Sequence, residues 1–201
     1  MNLCTDLPPR TTLTPQGRRL QLGGQSVMLD RGHVAIVTWP NAAALTRQVA
    51  ALCELPTPVV RYAGGTLIND LSLQDNLMLE PALHDGVLPG QLLPEIGALF
   101  AAIDRPIRWS SWATTWPDAA SLQALMQVRI GRALVADPDL LLIDATQWDD
   151  GLLQPACFSR CFIAQHPWRT LVWATHDAAR ANVLREALCE VLQESLQETI
   201  A

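Results

Sequence analysis

The residues that could do chemistry in this chain lie between an apolar stretch, residues 33–37, and an apolar stretch of helical pattern. They are Trp39, Pro40, Asn41, Ala42, Ala43, Ala44, Leu45 and Thr46. A strand, a tight loop and a helix form a phosphate-binding loop when the loop follows the pattern G-x-x-x-x-G-K-[ST]. In such a loop the glycine-rich backbone surrounds the phosphates, the Lys neutralises them and the hydroxyl binds Mg²⁺. This chain retains only the hydroxyl, as Thr46.

Trp39, Ala44 and Leu45 occupy the positions of the two Gly and the Lys, and the whole chain of 201 residues contains no lysine. A residue with a Cβ that is forced into a left-handed conformation costs about 1–2 kcal/mol, so the alanines are expected to abolish the phosphate cradle. Trp39 has two interpretations. Its indole either fills the vacated phosphate pocket or is an ordinary buried or surface aromatic.

The rest of the chain alternates between strand and helix patterns. The predicted strands are the hairpin arms Arg19–Leu22 and Ser26–Leu29, then His33–Val37, Val59–Tyr62, Leu140–Ile143 and Thr170–Ala174. The predicted helices are Ala42–Leu55, Leu71–Leu79, Leu92–Ile103, Ser121–Val135 and Ala178–Gln197. Asn41 is the expected N-cap of the first helix, although Thr38 followed by Pro40 is an alternative. This order predicts an α/β fold with a parallel sheet flanked by helices and a small antiparallel part.

The length suits a single domain, residues 1–201. Residues 1–18 are rich in Pro and Thr and predict a flexible N-terminal segment. Residues 81–118 contain five prolines between helical stretches and predict a helical subdomain inserted into the fold. In this insertion Trp109, Trp112 and Trp116 fall near helical spacing, which indicates either a docking surface or local core.

Charge and composition exclude several classes of protein. A net charge of −6 and a pI near 5.1, with scattered arginines, argue against nucleic-acid binding. No apolar run reaches the roughly 18 residues that span a bilayer, and the N-terminus lacks the apolar region of a signal peptide. The five cysteines are expected to be reduced thiols of a cytosolic protein. Cys157 and Cys161 are one helical turn apart, a weak signal for metal binding.

Residues 128–144 read Val-Arg-Ile-Gly-Arg-Ala-Leu-Val-Ala-Asp-Pro-Asp-Leu-Leu-Leu-Ile-Asp and closely resemble the core of ABC-transporter ATPase subunits. In that family a helix of the form RVAIARAL leads through an Asp-Pro turn into the Walker B strand. Residues 175–177 (Thr-His-Asp) resemble the switch-histidine motif, and residues 64–77 resemble the Q-loop region. The resemblance covers residues 19–192 and looks greatest to the ATPases of bacterial Mla/Mce-type lipid transporters. It implies a P-loop NTPase (RecA-like) fold, ATP and Mg²⁺ as family cofactors, and a membrane permease as partner.

Further departures from the family pattern accompany those of the loop. Ala63 stands where the Q-loop has Gln, and Ala145 stands where the family has the glutamate that positions the attacking water. The signature LSGGQ aligns with residues 120–124, Ala-Ser-Leu-Gln-Ala, of which only Ser121 matches. The D-loop region, residues 148–151, is out of pattern. Because phosphoryl transfer depends on positioned charge and metal, these changes together predict that the chain does not hydrolyse ATP.

The remaining family positions each have a functional and a structural interpretation. Thr46 and Asp144 could hold Mg²⁺, but a Thr bonded locally at the helix start and an Asp that caps a neighbouring loop are favoured. His176 could contact a γ-phosphate, but a hydrogen bond to nearby backbone or to Asp177 is favoured. Ser121 could contact a nucleotide on a partner subunit, but the role of N-cap is favoured. No metal site is expected.

These observations predict a non-catalytic ABC ATPase-like subunit of a bacterial membrane transport complex, which acts as a scaffold or regulatory partner and is not expected to bind ATP or Mg²⁺. By resemblance it is cytoplasmic and peripheral at the inner membrane, held there by a permease that transports lipid or another hydrophobic solute. An active ATPase subunit or a second copy of the chain is the other expected partner. One alternative is an ATP-hydrolysing subunit with atypical motifs, and a second is a free-standing interaction module.

Overall fold

A computed structural model describes residues 18–29, 32–53, 60–83, 89–136, 138–147 and 153–198. The strands are β1 Arg18–Leu22, β2 Gln25–Leu29, β3 Val34–Thr38, β4 Val60–Ala63, β5 Leu140–Asp144 and β6 Thr170–Thr175. The helices are α1 Ala42–Cys53, α2 Leu73–Leu83, α3 Pro89–Ala102, α4 Trp109–Trp112, α5 Leu122–Val135, α6 Pro155–Gln165 and α7 Ala178–Glu198. Single 3-10 turns lie at Pro117–Ala119 and Ala145–Gln147.

Four of the strands form a parallel sheet in the order β3-β6-β5-β4, and β1 and β2 form a separate antiparallel pair. Across the parallel sheet one row of paired residues runs from Ala35 through Val172 and Leu142 to Tyr62. The inner strands β5 and β6 are buried along their whole length, which explains why their sequences are continuous apolar runs. The carboxyl ends of all four parallel strands meet at one edge of the sheet.

Different elements cover the two faces of the sheet. Successive side chains of a strand point to opposite faces, so each strand contributes to two apolar clusters. The larger apolar cluster includes Leu141 and Trp173 and is completed by α2, α3, α5, α6 and α7. The smaller cluster includes Leu142 and Val172 and is completed by α1 and the β1–β2 hairpin. The hairpin therefore serves as a cover for the face that carries α1.

The helices and strands predicted from sequence are confirmed, with ends that shift by up to four residues. Leu55 and Val59 lie outside the described residues, as does the N-terminal segment up to residue 17. The sequence predicted no element for residues 155–165, where α6 lies. Pro155 occupies the first turn of α6, where its missing N–H has no helical partner to lose. The helical subdomain stays a prediction, and its helices α3 and α4 contribute Phe100 and Trp112 to the larger cluster.

The long C-terminal helix α7 packs its apolar face on this domain, because Leu184, Leu188 and Val191 are buried in the larger cluster. On its exposed side Glu190 forms an ion pair of 2.6 Å with Arg160 of α6. No helix within the described ranges is both long enough and apolar enough to cross a membrane.

His166 follows α6 and is a buried histidine, only 5% exposed. Its ring lies between Phe162 and Trp168, with ring centroids 5.2 and 6.0 Å away. Its Nδ1 atom has no hydrogen-bond partner among the described residues. Burial, followed by the charge of the nearby Arg169 guanidinium, lowers the pKa of His166 to about 4.

This shift predicts how stability depends on pH. Between pH 6.5 and about 4 the unfolded chain binds a proton at His166 that the folded chain does not bind. The free energy of unfolding should therefore fall by about 2 kcal/mol between pH 7 and pH 5, beyond what the carboxyl groups contribute. Urea denaturation at both pH values measures it. His166→Gln should remove this part of the pH dependence, whereas His176→Gln, at an exposed position, should keep it.

Candidate functional site

The loop between β3 and α1 is short, because α1 begins at Ala42, three residues before Leu45. The Asn41 side chain caps this helix by accepting a hydrogen bond of 2.9 Å from the backbone N–H of Ala44, so Thr38 is not the cap. The N–H of Leu45 donates to the Asn41 carbonyl at 3.3 Å. The G-x-x-x-x-G-K-[ST] pattern would place residues 39–46 around a phosphate. From Ala42 onwards these residues form a helical turn, and the N–H groups of Ala44 and Leu45 are already bonded to Asn41.

The side chains that replace the first Gly and the Lys are part of the apolar core. Trp39 is 4% exposed and Leu45 is 3% exposed, and both belong to the smaller cluster with Leu22 of the hairpin. Gln48 joins the loop to the hairpin, since its Oε1 accepts from Trp39 Nε1 at 2.7 Å and from the Gly23 N–H at 2.8 Å. Trp39 is therefore a buried aromatic that packs under the hairpin.

The hairpin turn lies directly on the start of this loop. Gly23 and Gly24 both have positive φ, 55° and 81°, as a two-residue hairpin turn requires. A Cβ at Gly23 would lie 2.5 Å from the Thr38 carbonyl oxygen, so no other residue fits there. Close approach and backbone conformation both demand glycine, and the turn leaves no gap between the hairpin and the loop.

At the same edge of the sheet, Asp144 ends β5 with its carboxylate buried and fully bonded. Oδ1 accepts from the backbone N–H of Thr146 at 3.0 Å and from the Thr146 hydroxyl. Oδ2 accepts from the Tyr62 hydroxyl at 2.7 Å and from Gln147 Nε2 at 2.9 Å. A carboxylate offers about four lone-pair sites, so protein donors occupy all of them. The structure thus has Asp144 capping the turn that follows it, the role that the sequence favours.

Tyr62 and Gln147 are members of this Asp144 cluster that the sequence did not indicate. Tyr62 is the only tyrosine of the chain and is the last residue but one of β4, where it pairs with Leu142 of β5. Burial, together with the hydrogen bond to Asp144, raises the pKa of Tyr62 well above its ordinary value, so the phenol stays a hydrogen-bond donor. A Cβ at Gly64 would lie 2.3 Å from the Tyr62 ring, so the ring needs a glycine at this position.

Two predictions about the remaining site residues are wrong. Thr46 does not start the helix but lies in its second turn, where its side chain is exposed and bonds to no described residue. His176 is also exposed and makes no hydrogen bond to backbone or to Asp177 within the described structure. Asp177 instead caps α7, because its Oδ1 accepts from the Ala179 N–H at 2.8 Å. Both predictions assumed that a polar residue next to a backbone turn bonds to it.

Ser121 has the N-cap role, since its hydroxyl accepts from the Ala124 N–H at 3.2 Å at the start of α5. It lines a cavity of about 340 Å³ with Thr115 and Trp112, away from the loop and the Asp144 cluster. Ala63 and Ala145 are fully buried, at the ends of β4 and β5. The structure thus places the loop, Ala63, Asp144, Ala145 and His176 along one edge of the sheet, with Ser121 apart from them.

The three tryptophans before α5 do not form one stripe. Trp112 is 2% exposed and Trp109 packs against it edge-on, with ring centroids 5.1 Å apart. Trp112 is in the larger cluster and Trp109 packs against it. For these two residues the spacing indicates local core rather than a docking surface. Trp116 alone is 46% exposed. The preceding residue, Thr115, is joined to the start of α2, because its carbonyl accepts a hydrogen bond from the Leu73 N–H.

Metal-binding side chains are scarce in the described part of the chain. No group of three or more His, Cys, Asp or Glu side chains is suitably placed there to hold an ion. Cys157 and Cys161 are partly buried on α6 and make no hydrogen bond to the Asp144 cluster within the described residues.

Neither a protein-family model nor a curated sequence matches the chain. Solved structures do. The dimeric bacterial ABC transporter cassette MJ0796 is 16% identical, with 83% of this chain and 88% of that chain covered and a TM-score of 0.52. MJ0796 in a post-hydrolysis state bound to ADP and Pi is 16% identical over 82% and 87%, with a TM-score of 0.50. The ATP-binding subunit of an ABC transporter is 17% identical over 79% and 74%, with a TM-score of 0.56.

At these identities the likeness is one of fold. The chain has the α/β fold of the ATP-binding cassettes of ABC transporters, with its parallel sheet flanked by helices.

Proposed function

We propose that this protein is a non-catalytic ABC ATPase-like subunit of a bacterial membrane transport complex. One observation supports the proposal. Where the sequence pattern would put a phosphate-binding loop, residues from Ala42 onwards form the start of α1, and the Leu45 side chain is buried in the core. A cassette that binds ATP needs free backbone N–H groups and a cation at this place. The chain offers a bonded cap and an apolar side chain there.

The state of Asp144 supports the same proposal. In ATP-binding sites of this kind the Walker B aspartate holds Mg²⁺, which needs an octahedron of oxygen ligands at about 2.1 Å. Here the carboxylate is 4% exposed and accepts from Tyr62, Thr146 and Gln147. A cation would have to displace these donors, and Thr46, the other family ligand, lies exposed on α1.

The residues present therefore do not fit ATP and Mg²⁺. The position that should orient the attacking water is Ala145, whose methyl group is buried and cannot accept a proton. The Ala145 carbonyl accepts a hydrogen bond of 3.1 Å from Arg180 Nε, so its backbone is also engaged. Binding and hydrolysis would each need a rearrangement of packed side chains rather than a change of one group.

Calorimetric titration of the purified chain with ATP and Mg²⁺ tests this proposal. We expect a Kd weaker than about 1 mM, which corresponds to less than about 4 kcal/mol of binding free energy. An ATP-hydrolysing cassette titrated in the same buffer serves as the positive control. Micromolar binding together with release of phosphate would instead support an ATPase with atypical motifs.

The proposed partner is a membrane permease, with an active ATPase subunit or a second copy of the chain completing a dimer. By resemblance alone we propose lipid or another hydrophobic solute as cargo. Trp116 follows Thr115, which lines the same cavity as Ser121, and offers exposed apolar surface within the predicted helical subdomain. In the family this subdomain faces the permease. Co-purification with a multi-spanning membrane protein would distinguish this proposal from a free-standing interaction module.

Trp116 gives the docking proposal a specific test. Trp116→Ser should lower the affinity for the permease by about thirtyfold, because an exposed Trp at the centre of an interface is worth about 2 kcal/mol. Quantitative pull-down from detergent extracts measures the change. Trp168→Ser is the matched control, since Trp168 is 51% exposed but lies beyond the far end of α6. Equal losses in both variants would contradict docking through Trp116.

A further inference from the structure

Two thiols lie side by side on α6, outside the site discussed above. Cys157 and Cys161 are four residues apart on one helix, so their side chains share a face, and both are partly exposed. The Cys161 sulfur lies 3.9 Å from the Ala102 carbonyl oxygen at the end of α3. Cys157 lines a cavity of about 230 Å³ between the end of α3 and the start of α6, together with Asp104 and Arg105. A small ligand therefore has access to Cys157 through this cavity, and Cys161 lies one helical turn further along and is itself partly exposed.

The helical spacing is unsuited to a disulfide. A disulfide needs its two Cβ atoms about 3.5–4.5 Å apart, whereas side chains one helical turn apart have Cβ atoms about 5–6 Å apart. Closing an S–S bond of about 2.05 Å would distort α6. A single atom held by two sulfur bonds of about 2.3 Å each spans a longer gap and leaves the helix intact.

A tetrahedral metal is equally unsuited to the pair. Within the described residues no third His, Cys, Asp or Glu completes a metal-binding group with these sulfurs. The described residues therefore suit a centre that is satisfied by two sulfur ligands.

We infer that Cys157 and Cys161 form a dithiol site for a thiophilic centre that takes two sulfur ligands, of the class of monosubstituted trivalent arsenicals. In the reaction with an organic arsenic(III) oxide, two As–S bonds form and the bonds from arsenic to oxygen break. The two thiol protons leave with that oxygen as water, and no atom changes its oxidation state. The open cavity beside Cys157 has room for the organic substituent.

The protonation of Cys161 favours this condensation over thiol–disulfide exchange. Burial, and then the neighbouring Cys157, raises the pKa of the Cys161 thiol. Exchange with a disulfide requires a thiolate, which is therefore scarce at Cys161. Condensation with an arsenic(III) oxide uses the thiol protons to form water and does not need a persistent thiolate.

Phenylarsine oxide is the probe for this site. Intact-protein mass spectrometry of the full chain should show one adduct that withstands excess glutathione, a monothiol, and is removed by 2,3-dimercaptopropanol. Cys157→Ser and Cys161→Ser should each weaken binding by about a hundredfold, because each loses the second, intramolecular sulfur. Cys189→Ser should bind like the parent, since Cys189 is a single exposed thiol on α7. Circular dichroism of each variant verifies that it is folded.

Binding that persists unchanged in the Cys157 and Cys161 variants, or is lost in the Cys189 variant, would overturn the assignment. A second measurement concerns the geometry. Because Arg160 lies between the two cysteines, trypsin separates them unless they are covalently joined. After treatment with diamide we expect the two peptides to stay unlinked, and rapid, complete linkage would contradict the helical argument against a disulfide. Neither outcome depends on the proposed transport function.

Discussion

Replacing Leu45 by Lys is expected to destabilise the fold by about 3 kcal/mol or more, and not to create nucleotide binding. The Lys would stand where a phosphate-binding loop has its Lys, but the Leu45 side chain is 3% exposed and packs with Trp39 and Leu22. Removing that apolar contact and burying an ammonium group both oppose folding. Urea denaturation gives the free energy of unfolding, and titration with ATP on the same sample gives binding.

The matched control is Thr46→Lys, which adds the same charge one residue further along α1. Thr46 is exposed, so the free energy of unfolding should change by less than about 0.5 kcal/mol. If Leu45→Lys were as stable as Thr46→Lys, the Leu45 side chain would not be part of the core. If the Leu45→Lys variant also bound ATP, a single missing charge would account for the absence of ATP binding, which would contradict our proposal.

The second large effect is expected at the Asp144 cluster. Tyr62→Phe should lower the free energy of unfolding by about 2 kcal/mol, because it removes a donor from a buried carboxylate. The variant keeps the ring that packs over Gly64, so the loss isolates the 2.7 Å hydrogen bond from packing. Chemical denaturation measures the change. Thr114→Val is the control, since it removes an exposed hydroxyl bonded at 3.3 Å and should cost less than about 0.5 kcal/mol.

A double-mutant cycle makes the test specific to the pair. In an Asp144→Asn background, Tyr62→Phe should cost about 1–2 kcal/mol less than in the parent, since the donor then faces no charge. Additive effects would show that Tyr62 and Asp144 do not interact, and the Asp144 carboxylate would then have a free side for a cation. Gly64→Ala should resemble Tyr62→Phe in direction, because a Cβ there displaces the ring.

The positions of the parallel strands along the chain and two of the helix caps could be predicted from local patterns. The runs of β5 and β6 are apolar throughout because both faces of these strands are covered, and a sequence displays that directly. Asn41 and Ser121 precede their helices, and each side chain accepts a hydrogen bond from the backbone N–H three residues ahead. Their role as caps therefore depends on adjacent residues alone. Reasoning from adjacent residues failed at Thr46 and His176. It predicted local side-chain hydrogen bonds that these two exposed residues do not make.

The tryptophans show where periodicity stops being informative. Trp109, Trp112 and Trp116 are three and four residues apart, as on one face of a helix. However, α4 ends at Trp112 and a 3-10 turn follows Trp116. Burial then differs from one ring to the next, because Trp112 is 2% exposed in the core whereas Trp116 is 46% exposed. α6 was missed for a related reason: its apolar residues alternate with Cys, Ser and Arg, and the packing of Phe158 and Phe162 decides its face.

By itself the sequence predicted a phosphate-binding loop without its lysine and glycines, and a following strand without a catalytic glutamate, because such predictions compare single residues with known places in a pattern. Only the tertiary structure decided what fills the vacated positions. Leu45 is part of the apolar core because the hairpin closes over α1. The Asp144 carboxylate is bonded on its Oδ2 side because Tyr62, 82 residues away along the chain, donates to it from the next strand. Such contacts join residues that are distant in sequence, and no local pattern records them.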